Sequence, residues 1–502
     1  MRPDPFAVPP GDGLPSPDYD ETVVHLASEY WPYARTGGLA EAVRGIARYQ
    51  AAADTRMAVM TPLYRVTRER FPDLEPCGDP FEVRVGHRVE MAQVYENPAA
   101  PENPRMHFVA HEGYFDRAGL YGEEDGAYWD NHIRFAFFCR AVLEWLPRLG
   151  DGPAILHAHD WHTALAPVYL RTVLAGDPWY DRVVTVLTVH NAGYQGHLGP
   201  EALEHLGLPD RLFHPDAMEW YGKTNLLKGG LNFSDMVTTV SPTHARELRT
   251  RTGGFGLHET FNGLQDRFVG VLNGIDYDVW DPATDRGIER TFHRDDLTGK
   301  ADCKAWLQNE LGLPVRPDAA LFGMTARLAE QKGFDILLRS KMFDELDAQW
   351  VFLGEGERRY RDALAALADR LPDKVRTYFD FTEEREHKLL AAADFLLMPS
   401  LYEPCGLTQM RSQRYGALPV VRRVGGLSDT VEDRITGFVF DEYQPWALTE
   451  AVRYAVDLHA DREAWEEHVR EAMGRDFSWR ASVERYQDVY RAAIAHRDQR
   501  TS

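Results

Sequence analysis

Cysteine is scarce. The 502 residues hold four, Cys77, Cys139, Cys303 and Cys405, far apart and with no paired spacing. That excludes a disulfide framework or a common zinc pattern, and it fits a reducing compartment. Positive charge is also short: 56 Lys and Arg face 78 Asp and Glu, for a net charge of -22. Such a balance argues against nucleic acid or an anionic membrane as partner. An anionic substrate would need a local cationic pocket working against the overall field. No uninterrupted apolar run is long enough to span a bilayer. The opening segment, "MRPDPFAVPPGDGLPSPDYDE", lacks the apolar centre of a signal peptide. The expectation is a cytoplasmic protein with a flexible segment at 1–20. There is no repeat of solenoid period and no low-complexity stretch beyond that segment.

What is present is a chain too long for one hydrophobic core, with 44% apolar residues. Short apolar runs recur: Val23–Leu26, Met57–Met60, Ile155–His157, Val183–His190, Met236–Val240, Leu321–Met324, Trp350–Leu353, Phe395–Met398, Pro419–Val421 and Phe438–Phe440. Amphipathic stretches such as "NHIRFAFFCRAVLEWLPRL" lie between them. This alternation predicts an α/β chain of parallel, doubly wound sheets, whose strands read as continuous apolar runs because both faces are covered. From about Thr250 to Pro317 the pattern is interrupted by a Gly-, Asp-, Arg- and Thr-rich stretch containing one strand candidate, "FVGVLNGID". A domain boundary is expected near its start. Ligands of such sheets bind beyond the carboxyl ends of the strands, and the unusual residues cluster there.

"ARTGGLAEAV" follows Val23–Leu26 and leads into a helix. Gly37 and Gly38 would let a phosphate approach the backbone at a helix N-terminus, with Arg35 as a forked cation. A turn that simply needs glycine for φ > 0 explains the glycines equally well. "LHAHDWHTALAP" offers His157, His159, Asp160 and His162 as metal-type ligands. The spacing matches no common zinc pattern, and a strand end whose Asp160 starts a helix, as N-cap or reaching a ligand, is the better reading. "LTVHNAGYQG" sets His190 and Asn191 at the end of the most apolar strand of the first half, either a satisfied buried histidine or a functional one. "MTARLAEQKGFDIL" places Arg327 and Lys332 beyond Leu321–Met324, to grip a diphosphate or merely to start a solvated helix.

"PSLYEPCGLTQMRSQRYGALPVVRRVGGLSDT", Pro399 to Thr430, is the richest stretch. Glu403 follows a strand, beside the start of a predicted helix. The amides of Gly406 and Leu407, with Thr408, could receive anionic oxygens. Arg422 and Arg423 follow the next strand. A carboxylate accepts from hydroxyls, while cations and a helix terminus neutralise a diphosphate. Sugar hydroxyls beside a diphosphate suggest a nucleotide-sugar.

With "HAHDWHTALAP", "TVHNAGYQG", "TVSPTHARE", "VLNGIDYDVWDP", "ARLAEQKGFD", "EPCGLTQMRSQRYGALPVVRRVGGLSDTV" and "TGFVF" in this order, the chain resembles bacterial glycogen synthases and plant starch synthases from about Val23 to Tyr490. The resemblance implies the GT-B fold, two Rossmann-like doubly wound domains facing a deep interdomain cleft. It implies domains at 21–250 and 251–476, with a helix at 477–502 crossing back to the first. The implied activity is transfer of glucose from a nucleotide-sugar, ADP-glucose by bacterial habit, to an α-1,4-glucan with retention, and without metal or cofactor. Arg327 and Lys332 would hold the diphosphate. Glu403 would contact the glucose and support the transition state. His190 would sit beside the anomeric carbon, and Asp160 near the acceptor or donor sugar. Cys405, Gly406, Leu407 and Thr408 would line the phosphate.

The sequence departs from the family pattern in four places, one of them a pair of residues. Arg35 and Glu41 stand where K-T-G-G-L-A-D has lysine and aspartate. Leu401-Tyr402 precedes E-P-C-G in place of Arg-Phe, and Phe381 replaces a tyrosine near the donor's base. The rival readings are another donor (UDP-glucose) or acceptor (a trehalose- or sucrose-forming enzyme), a pyridoxal-phosphate phosphorylase, a non-catalytic glucan-binding homologue, and a metal-dependent hydrolase on His157–His162. Oligomeric state, acceptor length and effectors stay open.

Overall fold

The computed structural model describes residues 13–123, 126–150, 152 and 154–501. Of the segment 1–20, residues 1–12 lie outside the described residues. Pro15 and Asp18 are bonded to Gln487 and Arg491 of the last helix. The chain forms two compact units: one runs to Gly274 and resumes at Trp479, and the other is Ile275–Ser478.

The first unit is built on a nine-stranded sheet in the order Phe268–Gly270, Met236–Thr239, Val184–Val189, Ala154–His159, Thr22–Leu26, Met57–Pro62, Arg105–Ala110, Arg88–Glu96 and Glu75–Val85. The first seven are parallel, and the last two extend the edge antiparallel. Neighbouring residues of one strand feed opposite cores. Val24 and Leu26 pack with the helix Asn131–Trp145. Val23 packs with Ile46 of the helix Gly38–Ala52 and with Tyr486, Val489 and Tyr490 of the helix Arg480–Thr501. Both faces are therefore buried, which is why these strands carry no polar alternation.

All ten strand candidates are strands, most of them a residue or two longer or shorter than expected. Phe268–Gly270 is the strand inside the interrupted stretch, and its pairing with Met236–Thr239 keeps it in the first sheet. In the two large sheets, the strands that apolar runs did not mark are the polar edge strand Glu75–Val85, its neighbour Arg88–Glu96, the adjoining Arg105–Ala110, and the edge strand Val375–Tyr378. Edge strands have one solvated side and need no continuous apolar run.

The second unit holds a six-stranded, wholly parallel sheet in the order Val375–Tyr378, Ala348–Leu353, Ala320–Thr325, Phe395–Met398, Leu418–Arg422, Phe438–Phe440. Chain progression reverses between Ala320–Thr325 and Phe395–Met398. In the first unit it reverses between Thr22–Leu26 and Ala154–His159. Each sheet thus has a switch point where loops diverge and leave a crevice.

Candidate active site

At the second unit's switch point, two loops carry the candidates. Residues after Ala320–Thr325 end in the single turn Glu330–Lys332, and Gly333 follows at φ 83. A Cβ there would lie 1.9 Å from the Pro399 carbonyl oxygen, so glycine is what lets the two loops touch. Leu401 N–H donates to Gln331 O at 2.8 Å, tying them further. Lys332 Nζ then donates to Glu403 Oε2 at 2.6 Å, and Ser400 Oγ donates to the same oxygen at 3.1 Å. Glu403 is buried. A carboxylate and a cation therefore meet although 71 positions separate them in sequence.

The glycine pair of "VGGL" explains itself by close approach. Gly425 has φ 43, and a Cβ would lie 1.9 Å from Glu403 O; at Gly426 it would lie 2.1 Å from Cys405 O. Gly426 N–H donates to the carbonyls of Glu403 and Pro404, at 3.2 Å each. This turn is the backing plate of the Glu403 loop. The neighbouring arginines serve the protein itself: Arg422 Nη1 donates to Leu401 O at 2.7 Å, and Arg423 pairs with Asp441 at 2.6 Å. Gly406 at φ 69 and Leu407 lead into the short helix Thr408–Arg414.

Arg327 is exposed and makes no hydrogen bond or ion pair among the described residues. Its segment is shaped by "GEG": a Cβ on Gly354 would lie 1.9 Å from Ala326 O, and one on Gly356 2.4 Å from Leu328 O. Both glycines are thus used for packing against the Arg327 loop. Phe381 is half-buried, its N–H donating to Glu355 Oε1 at 2.9 Å.

At the first unit's switch point, Glu29 organises the glycine loop. Its Oε2 accepts from Thr36 N–H at 2.6 Å and Gly37 N–H at 3.3 Å; its Oε1 accepts from Thr36 Oγ1 and Tyr121 OH at 2.7 and 2.8 Å. Gly37 is extended, at φ -158, and Gly38 begins the helix Gly38–Ala52. A Cβ on either would meet nothing within 4 Å. Neither glycine is needed for a left-handed turn or for protein packing. Arg35 Nη1 donates to Glu41 Oε1 at 2.7 Å, so the two residues that depart from the family loop are paired with each other.

Asp160 is buried and left-handed at φ 58, a conformation that costs an L-residue about 1–2 kcal/mol. Its Oδ1 accepts from the backbone N–H of His190 and Asn191, at 2.7 and 3.2 Å. Those bonds hold the His190 turn in place. Burial pushes the Asp160 carboxyl up to about 7, against the pull of the two amides.

The strand Ala154–His159 carries His157 and His159 on one side, where His25 of the adjacent strand joins them. Their ring nitrogens are already hydrogen-bonded. His25 reaches His159 and Gln50, His159 also reaches His190, and His157 reaches Tyr490 and Thr188. Asp160 and His162 do not join the group, and His162 stacks on Tyr121 with centroids 4.6 Å apart. Burial drives the histidines towards the neutral form: His25 falls to about 4, His162 and His190 to about 3, and His157 and His159 well below their usual value.

Sequence reasoning missed Glu29, His25, Gln50 and Tyr490. Glu29 had a weak signal, a carboxylate just ahead of the glycine loop. Tyr490 had none, being 333 positions from His157.

Residues 22–263 match the family described as starch synthase catalytic domain, and residues 312–472 match glycosyl transferases group 1. A glycogen synthase from Anaeromyxobacter sp. (strain Fw109-5) is 42% identical over 482 residues, covering 94% of this chain and 99% of the relative. One from Koribacter versatilis (strain Ellin345) is 41% identical over 480 residues, covering 94% and 98%. Among solved structures, the catalytic domain of starch synthase IV from Arabidopsis thaliana, bound to ADP and acarbose, superposes with a TM-score of 0.86 at 33% identity, covering 95% of this chain and 100% of that one.

This chain belongs to the glycogen synthase and starch synthase family.

Its fold is accordingly GT-B, a class it shares with a sucrose-phosphate synthase from Thermosynechococcus elongatus at a TM-score of 0.61 and 18% identity, a likeness of fold alone. As a member of this family it is a glucosyltransferase that builds glycogen or starch. No helix among the described residues is long and apolar enough to cross a membrane.

Proposed function

We propose that this glycogen/starch synthase takes its glucose from ADP-glucose and adds it, with retention, to the non-reducing end of an α-1,4-glucan. The observation that carries the reading is the pairing of buried Glu403 with half-buried Lys332 at the second unit's switch point, with exposed Arg327 on the loop that also leads to Lys332. The donor's diphosphate is held by Arg327 and Lys332, with the amides of Gly406, Leu407 and Thr408 at the start of the next helix, beside Cys405. Phe381 borders the base. Glu403 accepts from the glucose hydroxyls and, being anionic, favours an oxocarbenium-like transition state. In the first unit, the Arg35 loop with the open backbone at Gly37 and Gly38 meets the sugar-side phosphate. His190, held by Asp160, meets the glucose.

As the C1–O bond lengthens, charge grows on the leaving diphosphate and is met by fixed cations and amides. The acceptor's 4-hydroxyl attacks C1 on the same face and passes its proton to the departing phosphate oxygen, so the nucleoside diphosphate leaves as the new O4–C1 bond forms. Glu403 Oε2 is occupied by Lys332 and Ser400, which suits a charge partner better than a covalent nucleophile. Starch synthase IV, solved with ADP, supports the adenine choice by likeness. A cytoplasmic location goes with this reading, in keeping with four free cysteines.

The test is a transfer assay on glycogen with ADP-glucose and UDP-glucose offered separately. Transfer from ADP-glucose alone is expected. Transfer from UDP-glucose instead reassigns the donor, and silence with both moves the chain to another acceptor or to a binding role.

A further inference from the structure

The buried histidines of the first unit form one continuous hydrogen-bonded line that ends on His190. His190 Nε2 lies 2.9 Å from His159 Nδ1, and His159 Nε2 lies 2.9 Å from His25 Nδ1. His25 Nε2 lies 3.0 Å from Gln50 Oε1. Gln50 Nε2 donates to Tyr490 OH at 3.0 Å, Tyr490 OH lies 2.8 Å from His157 Nδ1, and His157 Nε2 lies 2.6 Å from Thr188 Oγ1. His25, His157, His159 and Gln50 are each fully buried.

A neutral imidazole has one N–H and one lone pair, so each ring in such a line must donate at one end and accept at the other. Burial keeps the rings neutral at physiological pH. The direction is then set at one point, the Gln50 amide. Its carbonyl oxygen can only accept, which requires His25 to carry its proton on Nε2. His25 Nδ1 is therefore an acceptor, and His159 must carry its proton on Nε2. The same step repeats once more and fixes His190. Beyond Gln50 the direction continues: the amide N–H donates to Tyr490, Tyr490 O–H donates to His157 Nδ1 at 2.8 Å, the nearer of its two acceptors (Gln50 Oε1 lies 3.5 Å away), and His157 Nε2–H donates to Thr188. Every donor points away from His190.

We infer that Gln50, His25 and His159 are positioning residues that hold His190 as the Nε2–H tautomer, leaving its Nδ1 as a hydrogen-bond acceptor for a hydroxyl of the donor sugar. His190 is half-exposed, and its Nδ1 makes no hydrogen bond among the described residues. The sugar-facing role of His190 rests on the functional reading above; the relay that sets its tautomer does not. An acceptor nitrogen selects a group that can donate, as a sugar hydroxyl does, and it fixes where that hydroxyl's proton points. Turning the Gln50 amide would reverse all three rings and make His190 Nδ1 a donor.

The experiment is nitrogen-15 NMR of histidine-labelled full-length protein, which reads each ring's tautomer directly, with His190→Gln and His159→Gln used for assignment. The expected result is the Nε2–H form for His190, His159 and His25 from pH 6.5 to 8. An Nδ1–H form, or a doubly protonated ring, at His190 overturns the proposal. Kinetics give a second arm. Gln50→Glu keeps an acceptor opposite His25 and should retain kcat within a few-fold. Gln50→Leu removes it, lets the line run either way, and should lower kcat by about tenfold with the glucan KM unchanged. Equal losses in the two variants overturn the proposal. Because the tautomers are read without turnover, a wild-type protein that shows the Nε2–H pattern but transfers no glucose refutes the functional reading and leaves the relay standing.

Discussion

Gly37 and Gly38 separate a glycine the fold needs from one a ligand needs. The perturbation is Gly38→Ala, with Gly37→Ala beside it. Neither backbone is left-handed, and a Cβ at either would meet nothing within 4 Å. Replacing glycine with alanine inside a helix's first turn should therefore stabilise by about 0.5–1 kcal/mol. That corresponds to a rise of about 1–4 °C in Tm for a domain of this size. Gly37 is the N-cap, where alanine is a poorer residue, so its variant should lie within about 1 kcal/mol of wild type. If the donor's phosphate comes up against this backbone, the new methyl group sits where a phosphate oxygen belongs. Crowding of that kind costs about 1–3 kcal/mol, or roughly 5–150-fold in kcat/KM for the donor. The assays are thermal unfolding and initial-rate transfer to glycogen. The control is Gly425→Ala, where φ 43 and a carbonyl 1.9 Å from the new Cβ predict lost stability as well. Alanine variants at 37 and 38 that keep kcat/KM within twofold would refute the reasoning, because the open space there would then have no occupant.

Gly425→Ala and Gly333→Ala should each destabilise the second unit by about 2–5 kcal/mol, from left-handed strain plus overlap with a carbonyl, measured by denaturant unfolding. Glu403→Gln removes the carboxylate charge but keeps the shape, and should cut kcat by about 100- to 1000-fold while the protein stays folded by circular dichroism. Glu41→Gln should weaken the hold on Arg35 and lower the donor KM by about 1.4- to fivefold, since a part-exposed ion pair is worth about 0.2–1 kcal/mol; an unchanged or raised KM counts against Arg35 as a phosphate ligand. Stability should fall on acidification. The buried histidines have folded values well below the ordinary 6.5, so the unfolded chain binds more protons between about pH 6.5 and 4, and each ring contributes about 1.4 kcal/mol of loss per pH unit there. Asp160, raised to about 7, works the opposite way, stabilising as pH falls from about 7 to 4. One carboxylate does not offset the four rings of the line together with His162, so Tm should drop between pH 6.5 and 5; a flat profile there would contradict neutral burial of the line.

By itself the sequence determined the class of fold and the parts list. Ten apolar runs became strands because a doubly covered parallel sheet leaves a local, contiguous signature. The positions after them held Arg35, Asp160, His190, Arg327, Lys332 and Glu403, because loops at the carboxyl ends of parallel strands begin where those strands place them. Only the tertiary structure decided how those residues are used. That Arg422 and Arg423 brace their own loop, that "GEG" packs on the Arg327 segment, and that Glu41 holds Arg35 are contacts among side chains and carbonyls with no periodic trace. The same holds for Tyr490 closing on His157 across 333 positions. A hydrogen-bonded line of histidines is a property of strand register and buried volume. Each ring taken alone looks like an ordinary core histidine, and direction appears only when all of them share one chain of donors and acceptors.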